Sequence, residues 1–175
     1  MSSKQSVYTV TAPSGTGKTT LNRRLVHEHN NIDMSISYTT RPQRRGETNG
    51  DHYWFVSKED FDKQIQAGQM LEWATVFDNY YGTSIKEIER IKKKGNIALL
   101  EIDVQGWLQT KQKISGAVSV FILPPSVHEL WNRLNTRASD SLENRLTRLE
   151  TAREELEYTE EYDYFILNKE LESAY

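Results

Sequence analysis

Four short runs at 7–11, 97–103, 118–123 and 164–167 are almost continuously apolar or β-branched. Each is too short for a helix and reads as a strand, and those at 97–103 and 118–123 read as strands covered on both faces. Between them lie stretches whose apolar residues recur every three or four positions. Helices are expected from about 17 to 29, from Ser57 to a stop at Gly68, and from Ser84 to Gly95. Further helices are expected over about 106–113, from Ser126 to about 136, and up to about 158. Ser57, Ser84 and Ser126 each stand three residues before an acid (Asp60, Glu87 and Glu129), the spacing of a helix N-terminal cap. Strand and helix alternate, which predicts an α/β domain built on a mainly parallel sheet.

One interval breaks the alternation. Strands at 34–37, 53–56 and 70–77, a polar loop over 38–50 and a turn at Asp78-Asn79 precede the 97–103 strand. These antiparallel turn signals predict an insertion built beside the parallel sheet. A polar turn at 138–141 separates the last two long helices.

Composition narrows the class. The 175 residues suffice for one domain, and 37% hydrophobic with 10% aromatic content argues against disorder. A net charge of −3 shows no basic excess for nucleic acid. Without cysteine, disulfides and thiolate metal sites are excluded. No apolar stretch is long enough to span a membrane, and 1–5 carry no secretory pattern, so a cytoplasmic location is expected. The four histidines fall in no ligand spacing, and His27 and His29 are expected on a solvated helix end.

The densest chemistry lies between the first strand and first helix. Ala12-Pro13-Ser14-Gly15-Thr16-Gly17-Lys18-Thr19 has the order and context of a Walker A loop, with Thr20 following it into the helix. Gly15 and Gly17 let backbone N–H groups converge on phosphate oxygens, and the helix adds its positive end. Lys18 reaches toward the β- and γ-phosphates, and the Thr19 hydroxyl is a Mg²⁺ ligand. Ala12 stands where the pattern has glycine, which requires only a negative φ there.

A second set falls in the insertion. Arg41 and Arg44 suit a phosphate, which a planar guanidinium can fork, and Tyr53 and Tyr81 can donate to the same group. Glu72 can accept together from the N1–H and N2–H₂ donors of guanine, with Ser37 or Thr83 donating to O6. Read alone, 41–45 is a solvated basic run. At the end of the 97–103 strand, where ligands gather in open α/β sheets, Asp103 is a Walker-B-like candidate for Mg²⁺ or else a helix-capping acid. If the strand reaches Asp103, Glu101 and Asp103 share a face. Arg133 and Arg137, then Arg145 and Arg148, sit at helical spacing on either side of the polar turn, where a lid would carry them.

The whole chain resembles guanylate kinase. Beyond the Walker A loop, the resemblance runs through Ser37-Tyr38-Thr39-Thr40-Arg41-Pro42, Gly46-Glu47, Asn49-Gly50, Tyr53 and Leu71-Glu72-Trp73-Ala74. It continues through Asn79-Tyr80-Tyr81-Gly82-Thr83, Ile102-Asp103-Val104-Gln105-Gly106, Ile122-Leu123-Pro124-Pro125-Ser126 and Tyr162-Asp163-Tyr164. It implies a P-loop NTPase-type core with helices on both faces, an inserted mixed-sheet GMP-binding region and a helical lid. The core would span about 1–33, 84–131 and 150–175, the GMP-binding region about 34–83 and the lid about 132–149. The implied reaction is Mg²⁺-dependent transfer from ATP to GMP, giving ADP and GDP.

By the same resemblance Ser37, Arg41, Arg44, Tyr53, Glu72, Tyr81 and Thr83 would hold GMP. Glu101 would occupy the place of a guanine-contacting aspartate, and Asn168 would lie near the adenine. Arg133, Arg137 and Arg148 would be lid arginines, with Arg145 competing with Arg148. Three departures stand out besides Ala12: Glu101 for an aspartate, Thr136-Arg137-Ala138 for Gly-Arg-Gly, and a family helix beyond the position of Tyr175. Two other readings are a catalytically silent guanylate-kinase-like interaction module and a kinase of another phosphorylated small molecule. Retention of Gly17, Lys18 and Thr19 argues against the silent module.

Overall fold

The computed structural model describes residues 6–76, 78–135 and 141–175. A five-stranded parallel sheet in the order β2-β7-β1-β8-β9 forms its centre. Its strands are β1 (Val7–Thr11), β2 (Ile32–Met34), β7 (Ile97–Glu101), β8 (Val118–Leu123) and β9 (Tyr164–Leu167). All pairings are parallel, with β1 between β7 and β8. The continuous apolar runs follow from this position. Alternate residues face opposite sides, and both sides are covered along β1, β7 and β8, whereas the edge strand β9 leaves Tyr164, Phe165 and Leu167 exposed. Val7, Ala98, Leu100 and Phe121 join Trp107 and Tyr162 on one face. Val10, Leu99 and Ile122 join Leu21 and Ala174 on the other.

The insertion folds as a second, mixed sheet in the order β4-β3-β6-β5. It comprises β3 (Tyr38–Thr39), β4 (Trp54–Phe55), β5 (Met70–Val76) and β6 (Asn79–Ser84), with β3 and β4 parallel and the other pairs antiparallel. Asp78 takes a positive φ of 63° in the β5–β6 turn, where a short polar side chain is tolerated.

The helices are α1 (Lys18–Glu28), α2 (Lys58–Gln66), α3 (Ile85–Lys93), α4 (Val104–Lys113), α5 (Val127–Asn135), α6 (Leu142–Leu156) and α7 (Leu171–Ala174). Serine caps begin four of them. Ser57, Ser84, Ser126 and Ser141 accept from the backbone N–H groups of Asp60, Glu87, Glu129 and Asn144 at 3.0–3.2 Å. Among the described residues no helix is long and apolar enough to cross a membrane. His27 and His29 are exposed at the end of α1, as expected.

Several boundaries differ from the sequence expectation. The strand expected at 34–37 runs from Ile32 to Met34, where Ile32 pairs with Ile97 and Met34 with Leu99. The loop expected over 38–50 contributes β3, since Tyr38 and Thr39 find partners on both β4 and β6. Most consequential for chemistry, β7 stops at Glu101 rather than Asp103. Asp103 is the N-cap of α4, its carboxylate accepting the Gly106 N–H at 2.8 Å. Capping turns the chain there, so Glu101 and Asp103 do not share a strand face.

Trp107 on α4 is 2% exposed and stacks on Tyr162 at 4.0 Å between ring centroids. Trp107→Ala should cost about 3–5 kcal/mol, read as a lowered urea midpoint. An unchanged midpoint would show that this stack does not anchor α4.

Candidate active site

The loop between β1 and α1 turns on two glycines. Gly15 and Gly17 adopt φ of 95° and 91°, values costly for any residue with a Cβ. Gly17 has a second constraint, because a Cβ there would lie 2.8 Å from Asn168 Nδ2. That amide donates to the Thr16 carbonyl at 2.6 Å and props the loop from beneath. Thr16 closes the turn by donating its hydroxyl to the Pro13 carbonyl at 2.8 Å. Among the described residues the only non-glycine with positive φ is Asp78, so Ala12 meets the one condition its substitution sets. Lys18 Nζ rests on the Ile102 carbonyl at 3.3 Å.

Across a cavity of about 480 Å³ stands the second set. Ala12, Pro13, Ser14, Gly15 and Lys18 line one side, and Ser37, Tyr53, Glu72 and Tyr81 line the other. Glu72 is 4% exposed. Burial pushes its carboxyl up to about 7, against the pull of hydrogen bonds from Thr83. Ser37 Oγ lies 3.4 Å from Thr83 Oγ1. Thus Ser37, Glu72 and Thr83 gather at one end. Tyr53 and Tyr81 meet edge to face at 6.0 Å near the Arg41 guanidinium, which lies 5.5 Å from the Tyr53 ring centroid.

Arg41 is engaged by a residue that sequence reasoning passed over. Glu47 takes both ends of its fork, at 2.7 and 3.0 Å, and also accepts the Arg44 N–H at 2.8 Å. Arg41 first, then the Arg44 backbone, holds the Glu47 carboxyl down at about 2. Glu47 appears in the Gly46-Glu47 motif, but its partner is legible only once the loop is folded. The Arg44 side chain is exposed.

Glu101, for which the resemblance implies a contact with guanine, is engaged by side chains of α1. Its carboxylate accepts from Thr19 Oγ1 at 2.6 Å and from Asn22 Nδ2 at 2.9 Å, so it is drawn to α1 rather than to Glu72. Asp103 is nearer the base end. The Gly106 N–H it accepts belongs to a residue whose added Cβ would lie 2.5 Å from Glu72 Oε2. Glu155 on α6 also lines the cavity and was not singled out from sequence, hidden in a run of exposed charges. Burial pushes its carboxyl up to about 7, with Lys18 pulling the other way.

The arginines separate clearly. Arg148 Nη1 donates to Ser14 Oγ at 2.9 Å and reaches the phosphate loop. Arg145 instead donates to Asn135 Oδ1 at 2.5 Å and to the Ser141 carbonyl, bracing α5 against α6. Arg133 bonds Glu129 and the carbonyls of Asn168 and Lys169, which ties α5 to the turn after β9. Arg137 lies outside the described residues. Asn168 supports the loop backbone as described, and Thr20 is exposed on the first turn of α1.

Known proteins resemble this chain along most of its length. A family model described as guanylate kinase matches residues 4–175. The chain is 47% identical over 171 residues to a guanylate kinase of Neisseria gonorrhoeae, covering 98% of this chain and 83% of that one. It is 41% identical over 165 residues to a guanylate kinase of Caldanaerobacter subterraneus, covering 94% and 80%. The crystal structure of guanylate kinase from Anaplasma phagocytophilum superposes with a TM-score of 0.74 at 35% identity, covering 95% of this chain and 78% of that one. The family-model match over 4–175 and relatives up to 47% identical across almost all of this chain lead to one conclusion: the chain belongs to the guanylate kinase family.

Proposed function

We propose that this chain transfers the γ-phosphoryl group of ATP to GMP and dGMP, giving ADP and the nucleoside diphosphate. One observation carries the reading: the phosphate loop and the Glu72 pocket open into the same cavity. Residues 34–83 form the acceptor region, 132–149 the lid, and the rest the core. The silent-module reading is disfavoured, because Lys18 and Thr19 are in place and the relatives above are named as kinases.

The chemical problem is repulsion between two anionic nucleotides rather than a weak nucleophile. A phosphate monoester with a second pKa of about 6 is mostly dianionic at neutral pH, so no general base is required. Catalysis then rests on positioning and charge stabilisation. The loop N–H groups and Lys18 would hold the donor phosphates, Lys18 leaving the Ile102 carbonyl to do so. Arg148, already at Ser14, would reach the transferring group, with Arg133 and Arg137 as its lid companions. Arg41, aligned by Glu47, would present Nε and its Tyr53 and Tyr81 neighbours to the acceptor phosphate, with Arg44 at the rim. Glu72 would accept from the guanine ring, with Ser37 and Thr83 beside it. Asn168 would act through the loop it supports.

The residues fit Mg²⁺. The Thr19 hydroxyl and the Glu101 carboxylate lie within 2.6 Å of each other, and Asp103 lines the same cavity. Mg²⁺ is commonly held by one or two protein groups together with substrate phosphates. Glu101 is therefore assigned to the metal side rather than to guanine. When bound, Mg²⁺ neutralises charge on the β- and γ-phosphates.

ADP release measured with GMP, dGMP, AMP, CMP and UMP should be confined to the first two, and activity on none would favour the silent module. Lys18→Ala should lower kcat by about 10³-fold or more while circular dichroism stays unchanged. Near-normal turnover would refute the loop assignment. The acid limb of kcat/KM for GMP should sit near pH 7, because only ionised Glu72 accepts both ring donors and its carboxyl stands at about 7. In Glu72→Gln the limb should fall back to about pH 6, where the phosphate monoester itself titrates. An identical limb in both proteins would remove Glu72 from base recognition.

A further inference from the structure

Glu72 sits at an irregularity in its strand. The pairing of β5 with β6 shifts register between Met70 and Glu72. A bulge of this kind re-aims the side chain that follows it. Here a carboxylate is turned into the cavity, and the carbonyls of the bulged segment need donors. Those donors come from α4. Lys113 Nζ donates to the Leu71 carbonyl at 2.7 Å and to the Met70 carbonyl at 3.2 Å. On the other side of Glu72, Gln109 closes a two-way bond with Trp73. Its Nε2 donates to the Trp73 carbonyl at 2.6 Å, and its Oε1 accepts the Trp73 N–H at 3.2 Å. Between these clamps is Gly106, the only residue type that leaves room for Glu72 Oε2.

Gly106, Gln109 and Lys113 are spaced by three and four, so they share one face of α4. We propose that this face is the positioning element for base selection: Gln109 and Lys113 fix the backbone on either side of Glu72, Gly106 admits its carboxylate, and Lys113 places a cation behind it. The proposal rests on Glu72 being the acceptor of the guanine donors. None of the three need touch the nucleotide. They act through Glu72.

The charge balance around Glu72 explains why a lysine serves better than a neutral donor. Burial opposes ionisation most strongly, and Asp103 at the cap of α4 opposes it as well. Thr83 from β6 and Lys113 from α4 favour it. Lys113 is the cation on that side of the balance. Its ammonium satisfies the bulge carbonyls and lowers the electrostatic cost of a buried carboxylate with one group.

The test uses Lys113→Gln, which keeps a donor for the bulge but removes the charge, alongside Lys113→Met and Lys113→Arg in the full chain. In Lys113→Gln the acid limb of kcat/KM for GMP should move up by about one pH unit, and KM for GMP at pH 7 should rise about fivefold. KM for ATP and kcat at saturating GMP should stay within about twofold of wild type. Lys113→Arg should restore the limb. Lys113→Met should add a further loss in KM for GMP, because the bulge then lacks its donor. In a Glu72→Gln background, Lys113→Gln should change nothing more. A Lys113→Gln protein with an unshifted limb, with equal losses for ATP and GMP, or no longer folded would overturn the proposal, since Lys113 would then be a structural prop. If the wild-type chain shows no GMP-dependent turnover, the functional reading itself fails. Wild-type turnover with an unshifted limb defeats this inference alone.

Discussion

Like charge crowded around one cavity is the constraint to which the rest of the structure responds. Glu72, Glu101, Asp103 and Glu155 all line it, and the ligands proposed for it are anions. Each carboxylate is managed differently. Glu101 is tied to Thr19 and Asn22, and Asp103 is tied to the N-terminus of α4, where a negative charge is favoured. Glu72 and Glu155 are left with raised proton affinity by burial. Lys18 and the loop N–H groups occupy the remaining face. A phosphate entering there meets donors first, with the acids held back by partners or by burial.

Much of this was legible from residue order because its signals are local. The strand-loop-helix grammar around Gly15, Gly17 and Lys18 fixes backbone geometry within a few residues. Ser57, Ser84 and Ser126 cap helices through bonds spanning three positions. The strands at Val7–Thr11 and Val118–Leu123 were readable to the residue, because burial on both faces leaves a nearly uninterrupted apolar run. Tyr164–Leu167 was readable from its apolar run, although as an edge strand it leaves Tyr164, Phe165 and Leu167 exposed. The residues proposed for the acceptor side stand out by type: a carboxylate, two tyrosines and two hydroxyls in one insertion, lining or bordering one cavity.

What sequence could not give depends on distance along the chain. Glu101 and Thr19 are 82 residues apart, and nothing in either neighbourhood announces that the carboxylate leans toward α1. The apolar run at 97–103 looked continuous through Ile102, but hydrophobicity does not report a capping turn, and Asp103 ended the strand by bonding Gly106. Arg145 and Arg148 are indistinguishable by type and spacing. They part only because the α6 face bearing Arg148 packs toward Ser14, while Arg145 finds Asn135. Glu47 and Glu155 look like ordinary surface acids until the fold places one on Arg41 and the other opposite Lys18.

The segment 101–113 shows how the two halves of the cavity are built from one piece of chain. Glu101 grips the Thr19 hydroxyl, and the Ile102 carbonyl holds Lys18, both on the donor side. One residue later Asp103 caps α4, and the face of that helix carrying Gly106, Gln109 and Lys113 frames Glu72 on the acceptor side. Trp107, stacked on Tyr162 in the core, fixes the same helix to the sheet. A displacement of α4 would therefore move the base acceptor relative to the end of β7, where the groups that hold Lys18 and Thr19 lie. In-line phosphoryl transfer is sensitive to such displacements, since a misplacement of about 1 Å can cost about 10²-fold. Building both sides of the cavity on one short, core-anchored segment would keep the proposed donor and acceptor in register for in-line transfer.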